Sequence, residues 1–140
     1  QKIAMSKEHN AYQKEVTDEK ESQLEMSKKI HLPLDAYASL AKYSDKLGID
    51  FLSTPFDHCS IKELKKLKLR FNKAPSGEIT NLPYLREMSL LDGKLLVSTG
   101  MSTLDEVDAA LAVILSCGKK KEDIIFMHWM SKVKGKSLQR

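Results

Sequence analysis

Three hydroxyl residues, Thr54, Ser76 and Ser98, stand 22 residues apart, each at or just past the end of a short run that reads as a β-strand. That interval is the length of one strand plus one covering helix. It confines the chain to repeating β-α units with parallel strands and right-handed crossovers. The three runs are residues 49–54, 70–74 and 94–98, and a fourth, 123–128, follows.

The stretches around the runs carry helical signals. A helix opens at Leu34, repeats Leu40, Tyr43 and Leu47 at helical spacing, and stops at Gly48. Ser60-Ile61-Lys62-Glu63 reads as a capping box before an Ile61, Leu64, Leu67 stripe. Pro83 falls in the first turn of the next helix, where a missing N–H costs nothing, and Gly93 is expected to end it. Thr103-Leu104-Asp105-Glu106 is a second capping box, followed by a stripe of Val107, Ala110, Leu111, Ile114 and Leu115 and a stop at Gly118.

Near-continuous apolar strands predict a sheet covered on both faces, which a doubly wound sheet and a barrel both satisfy. In either, the carboxyl ends of the strands open onto one face, where ligands bind. Thr54, Lys73, Ser76, Glu78 and Ser98 therefore converge there although they are distant in sequence. One ammonium, several hydroxyls and one carboxylate suit a phosphorylated anion. The helix after Ser98-Thr99-Gly100 could add its N-terminal N–H groups. Taken singly, a Ser or Thr before a helix is a cap or turn residue, and Lys73 a snorkelling surface lysine. The pattern does not say which anion.

Composition narrows the classes. Of 140 residues 41% are hydrophobic and 30% charged, ordinary for a soluble domain, and no apolar run approaches the roughly 20 residues of a membrane span. Aromatics are 6%, and the lysines at 62, 65, 66, 68 and 119–121 read as solvated faces, so a nucleic-acid partner is not expected. The first residues are not patterned as a secretory signal. Cys59 and Cys117 match no metal spacing, which fits a reduced, cytoplasmic setting.

Phe51-Leu52-Ser53-Thr54-Pro55-Phe56-Asp57, Lys73-Ala74-Pro75-Ser76-Gly77-Glu78-Ile79-Thr80-Asn81-Leu82-Pro83 and Leu96-Val97-Ser98-Thr99-Gly100-Met101 resemble three motifs of the sialic acid (N-acetylneuraminate) synthases, and Glu21-Ser22-Gln23-Leu24-Glu25-Met26 resembles a fourth. The likeness runs in order from about Tyr12 to His128. It implies an α/β fold, part of a TIM-type barrel with about four parallel strands and covering helices over 34–130, preceded by a polar loop or flap (1–33, one short helix around 21–30) and followed by a basic tail (131–140). It implies condensation of phosphoenolpyruvate with N-acetylmannosamine or a related amino sugar. Carbon 3 of phosphoenolpyruvate joins the sugar aldehyde, water attacks carbon 2, and phosphate leaves. By the same likeness Lys73, Ser76, Ser98 and Ser131 are phosphate-side residues, Thr54 lies beside the phosphoenolpyruvate carboxylate, and Glu78 serves the sugar side as a ligand or proton carrier. Lys73 is then an ion-pair partner and catalytic charge rather than a Schiff-base amine.

A divalent metal, Mn²⁺ or Mg²⁺, is expected for the intact enzyme, with its two histidines on later strands and none of its ligands in these 140 residues. A homodimer is expected too. An early glutamate and a further lysine of the family find no counterpart. His128 matches neither metal histidine and reads as a core or turn residue, while His58 reads as a site-rim residue or the start of the following helix. Trp129-Met130-Ser131-Lys132 departs from the family's Cys-Thr-Ser and Tyr-Pro pattern, and the isolated chain is expected to be incomplete and inactive. A second reading follows from these departures: a noncatalytic half-barrel that binds an anion or a partner chain.

Overall fold

The structure, a computed structural model, describes residues 32–128. The short helix expected around 21–30, Ser131 and the 131–140 tail lie outside the described residues. The chain divides into two compact units, Gln1–Tyr37 and Ala38–Arg140. Of the first, residues 32–37 are described, and they open helix α1 (Leu34–Lys46).

Helix α2 (His58–Leu67) begins earlier than the Ser60 capping box predicts. Asp57 is its N-cap: Asp57 Oδ1 accepts the Ser60 N–H at 2.7 Å, and the Ser60 hydroxyl donates to Oδ2 at 3.1 Å. A carboxylate three residues upstream outcompetes the serine, and Glu63 turns instead to Lys66 at 2.7 Å. Strand β1 (Phe71–Ala74) is followed by a 3-10 turn at Ser76–Glu78 and helix α3 (Leu82–Ser89), which holds Pro83 in its first turn and Asn81 as N-cap. Helix α3 stops at Leu90, before Gly93, which serves the turn into strand β2 (Lys94–Ser98). Helix α4 (Leu104–Ser116) shows the predicted capping box: Glu106 N–H donates to Thr103 Oγ1, and Thr103 N–H to Glu106 Oε2. Strand β3 (Ile124–Met127) follows a 3-10 turn at Lys121–Asp123.

The strands form one parallel sheet in the order β1-β2-β3. Register shows what each face does. Ala74 is opposite Val97, Asn72 opposite Leu95, and Val97 opposite Phe126. Ala74, Leu95 and Val97 pack with Ile61 of α2, Tyr84, Leu85 and Met88 of α3, and Ala110 and Ile114 of α4, with Ile124 and Phe126 against the cluster. Burying each large apolar side chain contributes about 1.5–3 kcal/mol, so this helix-covered face carries the core. The opposite face is the row Lys73, Leu96 and Ile125, and Ile125 keeps 38% of its surface exposed.

Sequential parallel strands with their helices on one side make an arc of barrel, not a doubly wound sheet, whose helices would lie on both sides. Two expectations change. The sheet is covered on one face among the described residues, because an arc keeps its concave side for the barrel interior. The sheet also has three strands there, not four, since residues 49–54 join no ladder. In that segment Ile49 is 59% exposed, and Asp50 meets Arg70 through side chains at 3.1 Å. Strand-like composition alone does not make a ladder.

Candidate active site at the carboxyl end of the sheet

Lys73 and Ser98 lie on the concave face, because Lys73 is opposite Leu96 and Ser98 is two residues further along the same strand. One strand spacing and one pleat repeat put their Cα atoms about 8 Å apart, within the reach of a lysine. Lys73 is half-buried, and among the described residues no ion pair involves it. Ser98 is 5% exposed, and its hydroxyl has no hydrogen-bond partner among the described residues. Buried hydroxyls are ordinarily satisfied, so this one is a donor held ready.

The loops beyond β1 and β2 meet. Gly100 sits at φ 54°, and a Cβ there would come within 2.7 Å of Ser76 Cβ and 3.0 Å of Ser76 Oγ. Only glycine permits that approach, which sets Ser76, exposed on its 3-10 turn, beside the Ser98-Thr99-Gly100 turn. On the other side Thr99 N–H donates to the Met127 carbonyl at 2.9 Å, and Thr99 Oγ1 lies 3.2 Å from His128 Nδ1. The Ser98 turn is thus fastened to both neighbouring strand ends.

Glu78 is held by its own helix cap. Asn81 Nδ2 donates to Glu78 Oε2 at 2.7 Å while Asn81 Oδ1 accepts the Tyr84 N–H at 3.3 Å. Thr54 is half-buried in the segment 49–54, outside the three-stranded sheet, and no hydrogen bond joins it to Lys73, Ser76 or Ser98 among the described residues. Its neighbour Pro55 accepts a buried hydrogen bond from the Tyr84 hydroxyl at 2.7 Å. Burial raises the Tyr84 phenol well above the ordinary tyrosine range, with the charges of Glu78 and Asp57 adding to the effect.

Lys73, Ser76 and Ser98 are therefore brought together. Glu78 follows Ser76 on the same turn, Thr54 reaches this end through Pro55 and Tyr84, and Ser131 lies outside the described residues. The expected help from the α4 N-terminus takes another form. Its capping box occupies the Glu106 N–H, and Asp105 and Glu106 place carboxylates in the first turn, which opposes an anion there. His58 starts α2 and pairs with Glu87 at 2.8 Å, and His128 is an exposed residue just past β3. Cys59 and Cys117 are free. Among the described residues no group of three His, Cys, Asp or Glu could hold a metal ion, and no helix is long and apolar enough to cross a membrane. The divalent metal expected from the family likeness thus finds no ligand set in this part of the chain.

Sequence reasoning missed Tyr84, Asn81 and Thr99. Asn81 had a readable signal, an Asx cap two residues before Pro83. Tyr84 and Thr99 had none, because their partners lie 29 residues away.

Residues 1–133 match the model of the NeuB family. An N,N'-diacetyllegionaminic acid synthase of Campylobacter jejuni is 45% identical over 117 residues, 84% of this chain and 35% of that protein. An N-acetylneuraminate-9-phosphate synthase of Drosophila melanogaster is 33% identical over 97 residues, 69% of this chain and 26% of that protein. The solved sialic acid synthetase of Leptospira borgpetersenii, in complex with citrate, shares the fold at TM-score 0.73 and 21% identity, over 83% of this chain and 40% of that one. The chain spans about a third of the length of the curated relatives it matches.

Proposed function

The chain belongs to the NeuB family, and from that premise we propose that it forms the phosphoenolpyruvate-binding side of a synthase that condenses phosphoenolpyruvate with an amino sugar. The observation that carries this reading is the buried, unpartnered Ser98 hydroxyl on the same concave face as the unpaired Lys73. In this reading the Lys73 ammonium holds the phosphate, and Ser98 and Ser76 donate to its oxygens. A charged, multiply hydrogen-bonded group is stabilised in a water-poor barrel mouth better than by any single contact. Thr54 faces the carboxylate. Glu78 keeps Oε2 on Asn81 and offers Oε1 to sugar hydroxyls or a proton. Ser131 adds a further phosphate-side hydroxyl. The divalent metal would be held by residues outside 32–128, and the intact protein would act as a cytoplasmic homodimer.

The acceptor is proposed to be N-acetylmannosamine or the related precursor of a legionaminic acid, since a relative at 45% identity bears that synthase name. Calorimetric titration of phosphoenolpyruvate into the intact protein tests the site. Lys73→Met and Ser98→Ala should each weaken binding about tenfold or more, the loss of a hydrogen bond to a charged group. Phosphate release with N-acetylmannosamine and Mn²⁺ should fall with them. Unchanged affinity in both variants would overturn the proposal and favour a barrel fragment that binds elsewhere.

A further inference from the structure

We propose that Asn81 is a positioning residue, whose side-chain amide holds the Glu78 carboxylate by Oε2 and so leaves Oε1 for the sugar. The proposal rests on the reading of Glu78 as the sugar-side carboxylate. Glu78 is half-buried at the end of the Ser76–Glu78 turn, and Ile79 beside it is 2% exposed, so the backbone here is fixed in the core. A glutamate side chain still has several rotatable bonds, and without a further contact its carboxylate swings. The contact that stops it is the 2.7 Å bond from Asn81 Nδ2 to Glu78 Oε2.

The direction of the asparagine amide follows from the helix it caps. The Tyr84 N–H is only a donor, so the atom facing it at 3.3 Å is Asn81 Oδ1, and the NH₂ group points the other way. The main chain of Asn81 is engaged as well. Its N–H donates to the Glu78 carbonyl and its carbonyl accepts the Leu85 N–H, each at 3.0 Å. Nδ2 is therefore the one group of Asn81 that the helix start does not employ, and it goes to Glu78. Helix α4 is built the other way round. There the carboxylate belongs to Glu106 inside the helix and turns back to the Thr103 N–H, so both residues serve the cap. In α3 the carboxylate lies before the cap, outside the helix, and the cap serves the carboxylate. Ser and Asp cap a helix about as well as Asn, but only Asn accepts with one atom and donates with another.

Asn81→Ser and Asn81→Asp in the intact protein separate the two tasks. Both keep a cap, so both should unfold at the urea concentration of the wild type. With phosphoenolpyruvate, N-acetylmannosamine and Mn²⁺, kcat/KM for the sugar should fall about three- to tenfold in Asn81→Ser, the range for one lost hydrogen bond. The fall should be larger in Asn81→Asp, where two carboxylates meet. Calorimetric affinity of Asn81→Ser for phosphoenolpyruvate should stay within about twofold, because the phosphate side is untouched. Unchanged kcat/KM, a loss shared equally by phosphoenolpyruvate affinity, or one that only follows a lowered urea midpoint would assign Asn81 to the fold alone and overturn the proposal. The side-chain amide protons of Asn81 in ligand-free protein separate this from the reading of Glu78. Glu78→Ala should move their resonances and hasten their exchange with water, which supports the contact even if the wild type does not turn over N-acetylmannosamine. No change in those protons refutes the proposal even if it does.

Discussion

The two ends of the sheet use their polar groups differently. At the amino end, side chains and glycine turns close on the backbone. Asn72 Nδ2 donates to the Asp92 carbonyl at 2.6 Å, Lys119 Nζ to the Leu91 carbonyl at 2.6 Å, and Lys94 N–H to the Arg70 carbonyl at 2.8 Å. At the carboxyl end, the Ser98 hydroxyl and the Lys73 ammonium have no such partners among the described residues. An unsatisfied buried donor is expensive for the fold, and among the described residues the buried Ser98 hydroxyl is such a donor, at the end of the sheet where parallel α/β folds bind ligands. The amino-end bonds named here tie side chains to backbone, whereas Ser98 and Lys73 at the carboxyl end are left for the ligand that the proposed function assigns them.

The largest effect should come from Gly93→Ala at the amino end. Gly93 has φ 74°, and a Cβ there would run into the Leu69 and Arg70 carbonyl oxygens and come within 2.7 Å of the Arg70 carbonyl carbon. Those are backbone atoms in the approach to β1, so nothing can swing aside. The left-handed conformation and the overlap together should destabilise the protein by about 2–5 kcal/mol in urea unfolding. Whatever fraction remains folded should bind phosphoenolpyruvate as the wild type does. A loss below about 1 kcal/mol, or weaker binding by folded protein, would break the division between the ends.

Gly100→Ala is the matched change at the carboxyl end. Here the obstruction is the Ser76 side chain, and the φ is 54°. The stability loss should be smaller, about 1–2 kcal/mol. Phosphoenolpyruvate affinity should fall about tenfold, because Ser76 and the Ser98 turn are pushed apart. A variant that loses stability and keeps its affinity would show that the contact between these turns serves the fold alone.

These two glycines also mark what a sequence can and cannot disclose. The β-α order, three of the four strands, the Thr103 capping box and the position of Lys73, Ser76, Glu78 and Ser98 near the carboxyl end of the sheet were legible, because each follows from local period or from the ends of strands. The failures were of another kind. Residues 49–54 have strand composition, but pairing is decided by a neighbour's backbone, which local pattern does not report. Apolar strands suggested two covered faces, and among the described residues helices cover one of them, the other being the concave side of the barrel arc. The Tyr84–Pro55 and Thr99–His128 contacts each join residues one β-α unit apart, and only the fold brings them together.

Asp57 gives the smallest and finest test, since it stands at the carboxyl end yet is tied to backbone like a residue of the other end. Its carboxyl is held below the ordinary value of 3.8 chiefly by the Ser60 N–H, with partial burial opposing. A lowered folded pKa means that its stabilisation is complete above the unfolded value and is lost as pH falls through the folded one. Asp57→Ala should therefore be less stable than the wild type by about 1 kcal/mol at pH 7, the usual worth of an N-cap. That difference should shrink as the pH is taken below 3.8 in acid unfolding. Ser60→Ala removes only a 3.1 Å hydroxyl contact with Asp57 and should matter by a few tenths of a kcal/mol. Neither change should move inorganic phosphate affinity. Equal losses from the two substitutions would restore Ser60 as the cap. An altered phosphate affinity in Asp57→Ala would show that a group already bonded to backbone can also serve the ligand, and the contrast between the two ends would then hold for position but not for chemistry.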